Sequence, residues 1–213
     1  MSFASAIAQL LNGLAGASSL FMVAAGLSLI FGVTRVVNFA HGSLYMLGLY
    51  VAYSGVEFLG RTPLGFWGGI VVATLVIGAL GALIEVAILR RIYRAPELFQ
   101  LLATFAVVLV VKDVALVGPR APGLLGTVEI MGRRVPQYDL ALIVIAPLLL
   151  LGLWLALTRT RWGALVRAAT QDREMVGALG VDERKLFTGV FFVGAALAGL
   201  GGALQLPREP ASL

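Results

Sequence analysis

The sequence predicts an all-α fold: a polytopic transmembrane helix bundle of about six membrane segments with one further, cytoplasmic coupling helix. Three observations carry this. Hydrophobic residues make up 60% of the 213 positions and charged residues 13%, for a mean hydropathy of +0.97. The apolar residues fall into runs of about 20, the length an α-helix needs to cross a ~30 Å hydrocarbon core. One polar stretch, residues 158–185, is too hydrophilic to span yet periodic enough to be a helix. A water-soluble domain of this composition would lack polar surface.

Composition also excludes several functions. The chain has no cysteine, so disulfides and thiolate metal sites do not arise. Its net charge of +5 comes mostly from basic residues beside apolar segments, where they set orientation and meet anionic headgroups. Membrane lipid is therefore an expected partner and nucleic acid is not. A single histidine is too few ligands for a metal. No nucleophile with an orienting acid accompanies it, so neither catalysis nor a cofactor is expected. The N-terminus lacks a basic leader and its apolar run is too long for a cleaved signal peptide.

The first span is expected over Leu10 to Val33 and the second over Val36 to Leu59. Only Thr34 and Arg35 separate them, so the turn is very tight or the second segment is partly broken or re-entrant. Non-helical backbone at membrane depth needs protein or a watery cavity around it. The third span covers Leu64 to Leu89, with Glu85 near its end and Arg90 close enough to pair with it. The fourth covers Leu98 to Val117, with Lys112 and Asp113 anchoring its outer end. The fifth covers Asp139 to Leu157 and is expected to kink at Pro147. The sixth covers Leu186 to Leu206, where Gly194, Ala198 and Gly202 repeat every fourth position and permit close helix contact.

Basic residues in the connections orient the spans. Arg35, Arg90, Arg91, Arg94, Arg159, Arg161, Arg167, Arg173, Arg184 and Lys185 fall on one side, ten in all. Arg61, Arg120, Arg133, Arg134 and Arg208 fall on the other, five in all. The first set is expected to be cytoplasmic, with both ends of this chain outside.

Within the second span, Asn38, His41 and Tyr45 are spaced by three and four, which a helix would place on one face. Gly42 would allow close approach by another backbone or a ligand. Asn and His both donate and accept hydrogen bonds. The stripe is thus either polar glue between helices or the lining of a path for a polar solute.

The connection RTRWGALVRAATQDREMVGALGVDERK, from Arg159 to Lys185, carries an apolar stripe of Val166, Ala169, Met175, Val176 and Leu179. Arg167, Asp172, Arg173 and Glu174 form a charged face, and Gly180 is placed to end the helix. Such a helix can lie on the membrane or dock in a partner's groove. Its mixed charges favour docking.

GLSLIFGVTRVVNFAHGSLYMLGLY, from Gly26 to Tyr50, closely resembles the corresponding region of branched-chain amino-acid ABC-transporter permeases. NFAHG at Asn38 to Gly42 with YMLG at Tyr45 to Gly48 is similar to the LivH-type rather than the LivM-type subunit. RAATQD at Arg167 to Asp172 and ALGV at Ala178 to Val181 resemble the family's ATPase-contacting loop. The resemblance implies a bacterial inner-membrane permease subunit of an ATP-driven importer for branched-chain amino acids. Its implied partners are a LivM-type permease, ATP-binding cassette ATPases and a periplasmic substrate-binding protein. ATP hydrolysis belongs to the ATPases, since the chain has no G-x-x-x-x-G-K-[ST] loop.

Under the same resemblance, Asn38, His41, Gly42 and Tyr45 border the substrate path, and Arg167, Ala168, Asp172 and Gly180 belong to the coupling site. Family members continue beyond this point with a Gly-rich segment and further helices. The chain, read as a single transmembrane permease domain over 1–213, is therefore expected to be a fragment or a truncated product. The polar stripe does not distinguish branched-chain amino acids from urea, amides or other amino acids. A self-contained channel or secondary transporter would call for midplane ionisable groups, which are sparse.

Overall fold

The computed structural model describes residues 3–60, 62–116, 127–130 and 133–206, with side chains over 5–60, 62–113 and 141–206. Helix α1 (Phe3–Thr34) is followed by α2 (Ala40–Leu59) and α3 (Pro63–Ile84). A π-helical turn (Glu85–Leu89) joins α3 to the short α4 (Arg90–Ile92), and α5 (Glu97–Leu116) follows. Two short strands, β1 (Thr127–Ile130) and β2 (Arg133–Pro136), pair antiparallel, with Thr127 opposite Pro136 and Ile130 opposite Arg133. The chain continues with α6 (Gln137–Arg159), α7 (Arg161–Gln171), α8 (Arg173–Ala178) and α9 (Glu183–Ala203).

The helical bundle agrees with the expected class, and the small hairpin adds to it. Among the described residues, four helices are long and apolar enough to cross a membrane: Ser5–Thr34, Pro63–Ile92, Ala141–Arg159 and Glu183–Ala203. The expected second and fourth spans correspond to α2 and α5, each a helix of 20 residues. Neither reaches the same apolar length. Helix α2 carries His41, two serines, three tyrosines and Glu57, while Glu97, Lys112 and Asp113 shorten the apolar stretch of α5. Helix α6 runs through Pro147 to Arg159.

Helix α9 is the hub, packing against α1, α2 and α3. The small residues make this possible. A Cβ at Gly194 would lie 2.6 Å from Ile30 of α1, and one at Gly202 would collide with the Tyr45 carbonyl of α2. Gly48 of α2 meets the backbone of Gly199, so two main chains touch with no side chain between them. Ala195 and Ala198 are fully buried. The expected close contact along the Gly194, Ala198 and Gly202 stripe is what the fold shows.

The outward faces of α3, α5 and α6 remain apolar: Leu75, Leu83, Val110, Leu148 and Trp154 are half exposed or more. In a bundle that buries its polar groups inside, such faces suit hydrocarbon. At the α2–α3 corner, Gly60 takes a left-handed φ of 89°. The Thr62 hydroxyl then accepts from the Gly65 amide at 3.1 Å, with Pro63 opening α3.

Candidate functional site

The tight turn between the first two helices is a short break. Helix α1 ends at Thr34, Arg35 adopts a left-handed φ of 57°, and residues 35–38 are non-helical. The Thr34 hydroxyl donates to the Ile30 carbonyl at 2.9 Å and accepts from the Val36 amide at 3.3 Å, closing the end of α1. Helix α2 begins only at Ala40. The Asn38 side-chain oxygen accepts from the Ala40 amide at 3.1 Å, and the Asn38 carbonyl accepts from the His41 amide at the same distance. This is an Asx-type turn that starts the helix.

Asn38 therefore does not share a helical face with His41 and Tyr45, as the spacing predicted. An Asn just ahead of a helix lowers its energy by capping rather than by extending the helix. It lies beside His41 at the mouth of the break, and both are buried.

His41 and Tyr45 do share a face, one turn apart on α2. His41 Nε2 is 3.0 Å from the Val23 carbonyl of α1. A carbonyl only accepts, so Nε2 carries the proton and Nδ1 is left as an acceptor. Gly26, one turn along α1, makes the room: a Cβ there would sit 3.1 Å from the imidazole and collide with the Gly194 carbonyl. Helices α1, α2 and α9 thus converge on His41. The bond joins two helices, as polar glue would. The site keeps further polar capacity: Asn38 Nδ2 and His41 Nδ1 are buried without a hydrogen-bond partner among the described residues.

Gly42 is exposed, and nothing among the described residues comes within 4 Å of where its Cβ would be. Close backbone approach, one of the two expectations at Gly42, occurs instead at Gly26 and Gly48. Tyr45 is half-buried, its ring packed near Gly201 of α9. Further along the same interface, Gln205 Nε2 donates to Ser19 at 3.0 Å, while Gln205 Oε1 is buried without a partner among the described residues. Ser19 and Gln205 were not singled out from sequence, because their 186-residue separation hides the pairing.

The expected coupling helix is two helices. Asp172 breaks it: its φ of −145° and ψ of 103° are extended, and its carboxylate caps α8 by accepting from the Met175 amide at 2.9 Å. Thr160 caps α7 by accepting from Gly163 at 3.0 Å. Gly180, with φ of 83°, reverses the chain after α8. Val166, Ala169 and Val176 of the apolar stripe are buried against the bundle. Met175 and Leu179 are 57% and 76% exposed, and point away from it. Arg167, Ala168, Asp172 and Gly180 are exposed too.

Two arginines fasten this element to the bundle. The Arg35 guanidinium donates to the Thr170 carbonyl of α7 at 2.9 Å. The Arg173 guanidinium lies 5.1 Å from the Phe187 ring centroid and 5.9 Å from that of Tyr93, and pairs with Glu183 at 3.3 Å. Arg35, the arginines after α3, α7, α8 and the start of α9 thus gather at one end of the bundle. Of the opposite set, Arg61, Arg120 and Arg208 lie outside the described residues.

Glu85 is completely buried at this end. The π-helical turn bonds the Arg90 amide to the Glu85 carbonyl and brings residues five apart into register. Arg90 then forks the carboxylate with Nε at 3.2 Å and Nη2 at 2.8 Å. Thr188 of α9 donates at 2.8 Å and Tyr93 at 3.3 Å, giving the carboxylate four donors. Burial, with the Glu85 charge beside it, pushes the Tyr93 phenol up and keeps it a neutral donor. The local Glu85–Arg90 pairing follows the sequence expectation, whereas Thr188 and Tyr93 are additions.

A sequence model of the family described as branched-chain amino acid transport system, permease component, matches residues 9–209. The chain belongs to this family. It is 26% identical over 212 residues to the high-affinity branched-chain amino acid transport system permease protein BraD of Pseudomonas aeruginosa, covering 92% of this chain and 69% of that one. The permease protein LivH of Escherichia coli is 26% identical over 216 residues, with the same coverage. A probable LivH of Methanocaldococcus jannaschii is 27% identical over 197 residues, covering 87% of this chain and 61% of that one. No solved structure matches the chain. The LivH-type resemblance drawn from NFAHG and YMLG is thus upheld, and the apolar helices are those of a multi-pass membrane permease.

Proposed function

We propose that this permease is a subunit of an ATP-driven importer of branched-chain amino acids in a bacterial inner membrane. It crosses the membrane with α1, α2, α3, α5, α6 and α9, and its α7–α8 end faces the cytoplasm. A LivM-type permease completes the pathway, ATP-binding cassette ATPases supply the work, and a periplasmic protein delivers the substrate.

The observation that carries this reading is the bond between Arg35 and Thr170. It links an element with a free apolar ridge to the break that holds Asn38 and His41. Met175 and Leu179 form the ridge, edged by Arg167, Ala168, Asp172 and Gly180, and suit a groove on an ATPase. When the ATPases close on nucleotide, α7–α8 moves as a body and draws Arg35 with it. Arg35 is three residues from Asn38, so the start of α2 shifts relative to α1. Asn38, His41, Gly42 and Tyr45 border the path, with Asn38 Nδ2 and His41 Nδ1 offering one donor and one acceptor to an amino-acid headgroup.

Reconstitution of the permease with its ATPases and second permease in proteoliposomes tests this directly. ATP-dependent accumulation of leucine is expected when binding protein is supplied. Uptake that proceeds without ATP, or a permease that associates with no ATPase, would overturn the reading.

A further inference from the structure

The basic end of the bundle carries charge that the proposed transport cycle does not use. A hollow of about 460 Å³ is lined by Arg90, Arg91, Arg94, Arg173 and Arg184, with Glu85 and Glu183 the acidic members. Five arginines face two glutamates, a surplus of three positive charges. Glu85 is saturated by Arg90, Thr188 and Tyr93, and Glu183 is held by Arg173. The side chains of Arg91, Arg94 and Arg184 are exposed and have no hydrogen bond or ion pair among the described residues. The surplus is therefore concentrated on three free guanidiniums around one cavity.

Arg90 and Arg184 also line a second, more apolar groove of about 590 Å³, walled by Ala82, Trp162, Gly189, Phe192 and Val193, with Asp182 and Lys185 paired to each other at 3.7 Å on its polar side so that they add no net charge. Phe192 and Val193 lie eight and nine residues beyond Arg184 on α9, which is about 12 Å along the helix axis. The groove thus leads from the basic rim toward the membrane interior. It opens beside the exposed apolar surface of α3 and the π-helical turn, where Leu83 and Val86 are 60% and 42% exposed. Arg90 and Arg184 are the residues the two chambers share, and Trp162, a side chain favoured at membrane–water boundaries, lines the second one.

We propose that this composite cleft binds an anionic phospholipid. The phosphate sits among Arg91, Arg94 and Arg184, and an acyl chain lies along Trp162, Phe192 and Val193. A soluble anion would need only the basic hollow. An acidic segment of a partner protein would gain nothing from a groove descending into the bilayer. Basic pockets between membrane helices recognise anionic headgroups through the same combination of charge and depth.

The test uses the full chain purified in neutral detergent and exposed to equal amounts of phosphatidylglycerol and phosphatidylcholine. Bound lipid is counted by native mass spectrometry, and melting is followed in parallel. Retention of phosphatidylglycerol over phosphatidylcholine by roughly tenfold is expected, with a matching rise in melting temperature. The combined Arg91→Gln, Arg94→Gln and Arg184→Gln variant should bring the two lipids close to equal retention. If that variant fails to accumulate, Arg184→Gln alone should still lower the preference by about threefold. Equal retention by the unmodified protein overturns the proposal. So does inorganic phosphate stabilising the protein as well as the lipid, or a triple variant that keeps its lipid preference but loses ATPase association.

Discussion

The guanidinium of Arg35 reaches the main-chain oxygen of Thr170 across 135 residues of sequence, at 2.9 Å. Arg35 holds a left-handed φ of 57° to make this reach. For a residue with a Cβ that conformation costs about 1 kcal/mol. Arg35→Gly should relieve the strain, leave the melting temperature unchanged or slightly higher, and cut leucine uptake severalfold while ATP hydrolysis continues. An Arg35→Gly protein that transports normally would show that α7 does not act through this bond.

The Glu85 network answers to a different measurement. Glu85→Leu removes the carboxylate but leaves Arg90, three-tenths exposed, without its partner. Stripping one member from a buried pair costs on the order of 3 kcal/mol, tempered here by the access Arg90 has to water. The expected result is a markedly lower melting temperature in detergent. Adding Arg90→Met should recover much of the loss, since two apolar residues then occupy the space. If the double variant melts no higher than the single one, the pair is not the source of the instability.

Contact between main chains at α9 predicts steric intolerance at particular glycines. A methyl group at Gly48 would meet the Gly199 backbone, and one at Gly202 would meet the Tyr45 carbonyl. Neither neighbour can rotate away. Gly48→Ala and Gly202→Ala should each destabilise the protein by about 2 kcal/mol through forced separation of the helices. Gly13→Ala is the control, because nothing among the described residues lies within 4 Å of its Cβ position. It should be neutral or stabilise by up to about 1 kcal/mol. Thermal melts of the three variants under one condition decide the matter.

These residues also show what could be read from sequence. The repeat of Gly194, Ala198 and Gly202 announced a tightly packed helix, because small residues at that spacing have few other uses in lipid. Glu85 announced a partner, since a carboxylate in an apolar run must be compensated. Arg90 was near enough in sequence to be found, but Thr188, 103 residues away, was not. Asn38 was misplaced because helical spacing was extended back through a residue that caps the helix. Asp172 carried the same capping signal with Glu174 following, yet its apolar neighbours suggested one unbroken helix. Local capping chemistry decided the helix ends in both places and prevailed over the apolar periodicity.

At the α1–α2 break, His41→Phe offers a test of the path assignment that spares the packing. The ring keeps a similar shape but loses the bond to Val23 and the unpartnered Nδ1. An interhelical hydrogen bond of this kind is worth about 0.6 kcal/mol, so melting should change little. Uptake should fall at least tenfold if the imidazole meets the substrate. Asn38→Ala is the less clean variant, because it also removes the oxygen that caps α2. Retained uptake in His41→Phe would return His41 to a packing role.

The exposed ridge permits a paired experiment on docking. Met175 and Val176 are neighbours in α8, yet one is 57% exposed and the other 4%. Met175→Asp, alone or with Leu179→Asp, should leave the melting temperature within a degree or two and abolish association with the ATPase. Val176→Asp buries a charge without a partner and should destabilise the permease itself by several kcal/mol. Arg167 is the cleaner site for charge reversal, since Asp172 caps α8 and its loss costs about 1 kcal/mol of local stability. Arg167→Glu should therefore uncouple ATP hydrolysis from uptake in a protein that melts normally. If Met175→Asp, Leu179→Asp and Arg167→Glu all assemble and transport as before, the ATPase docks elsewhere, and the lever formed by α7, Thr170 and Arg35 has nothing to push it.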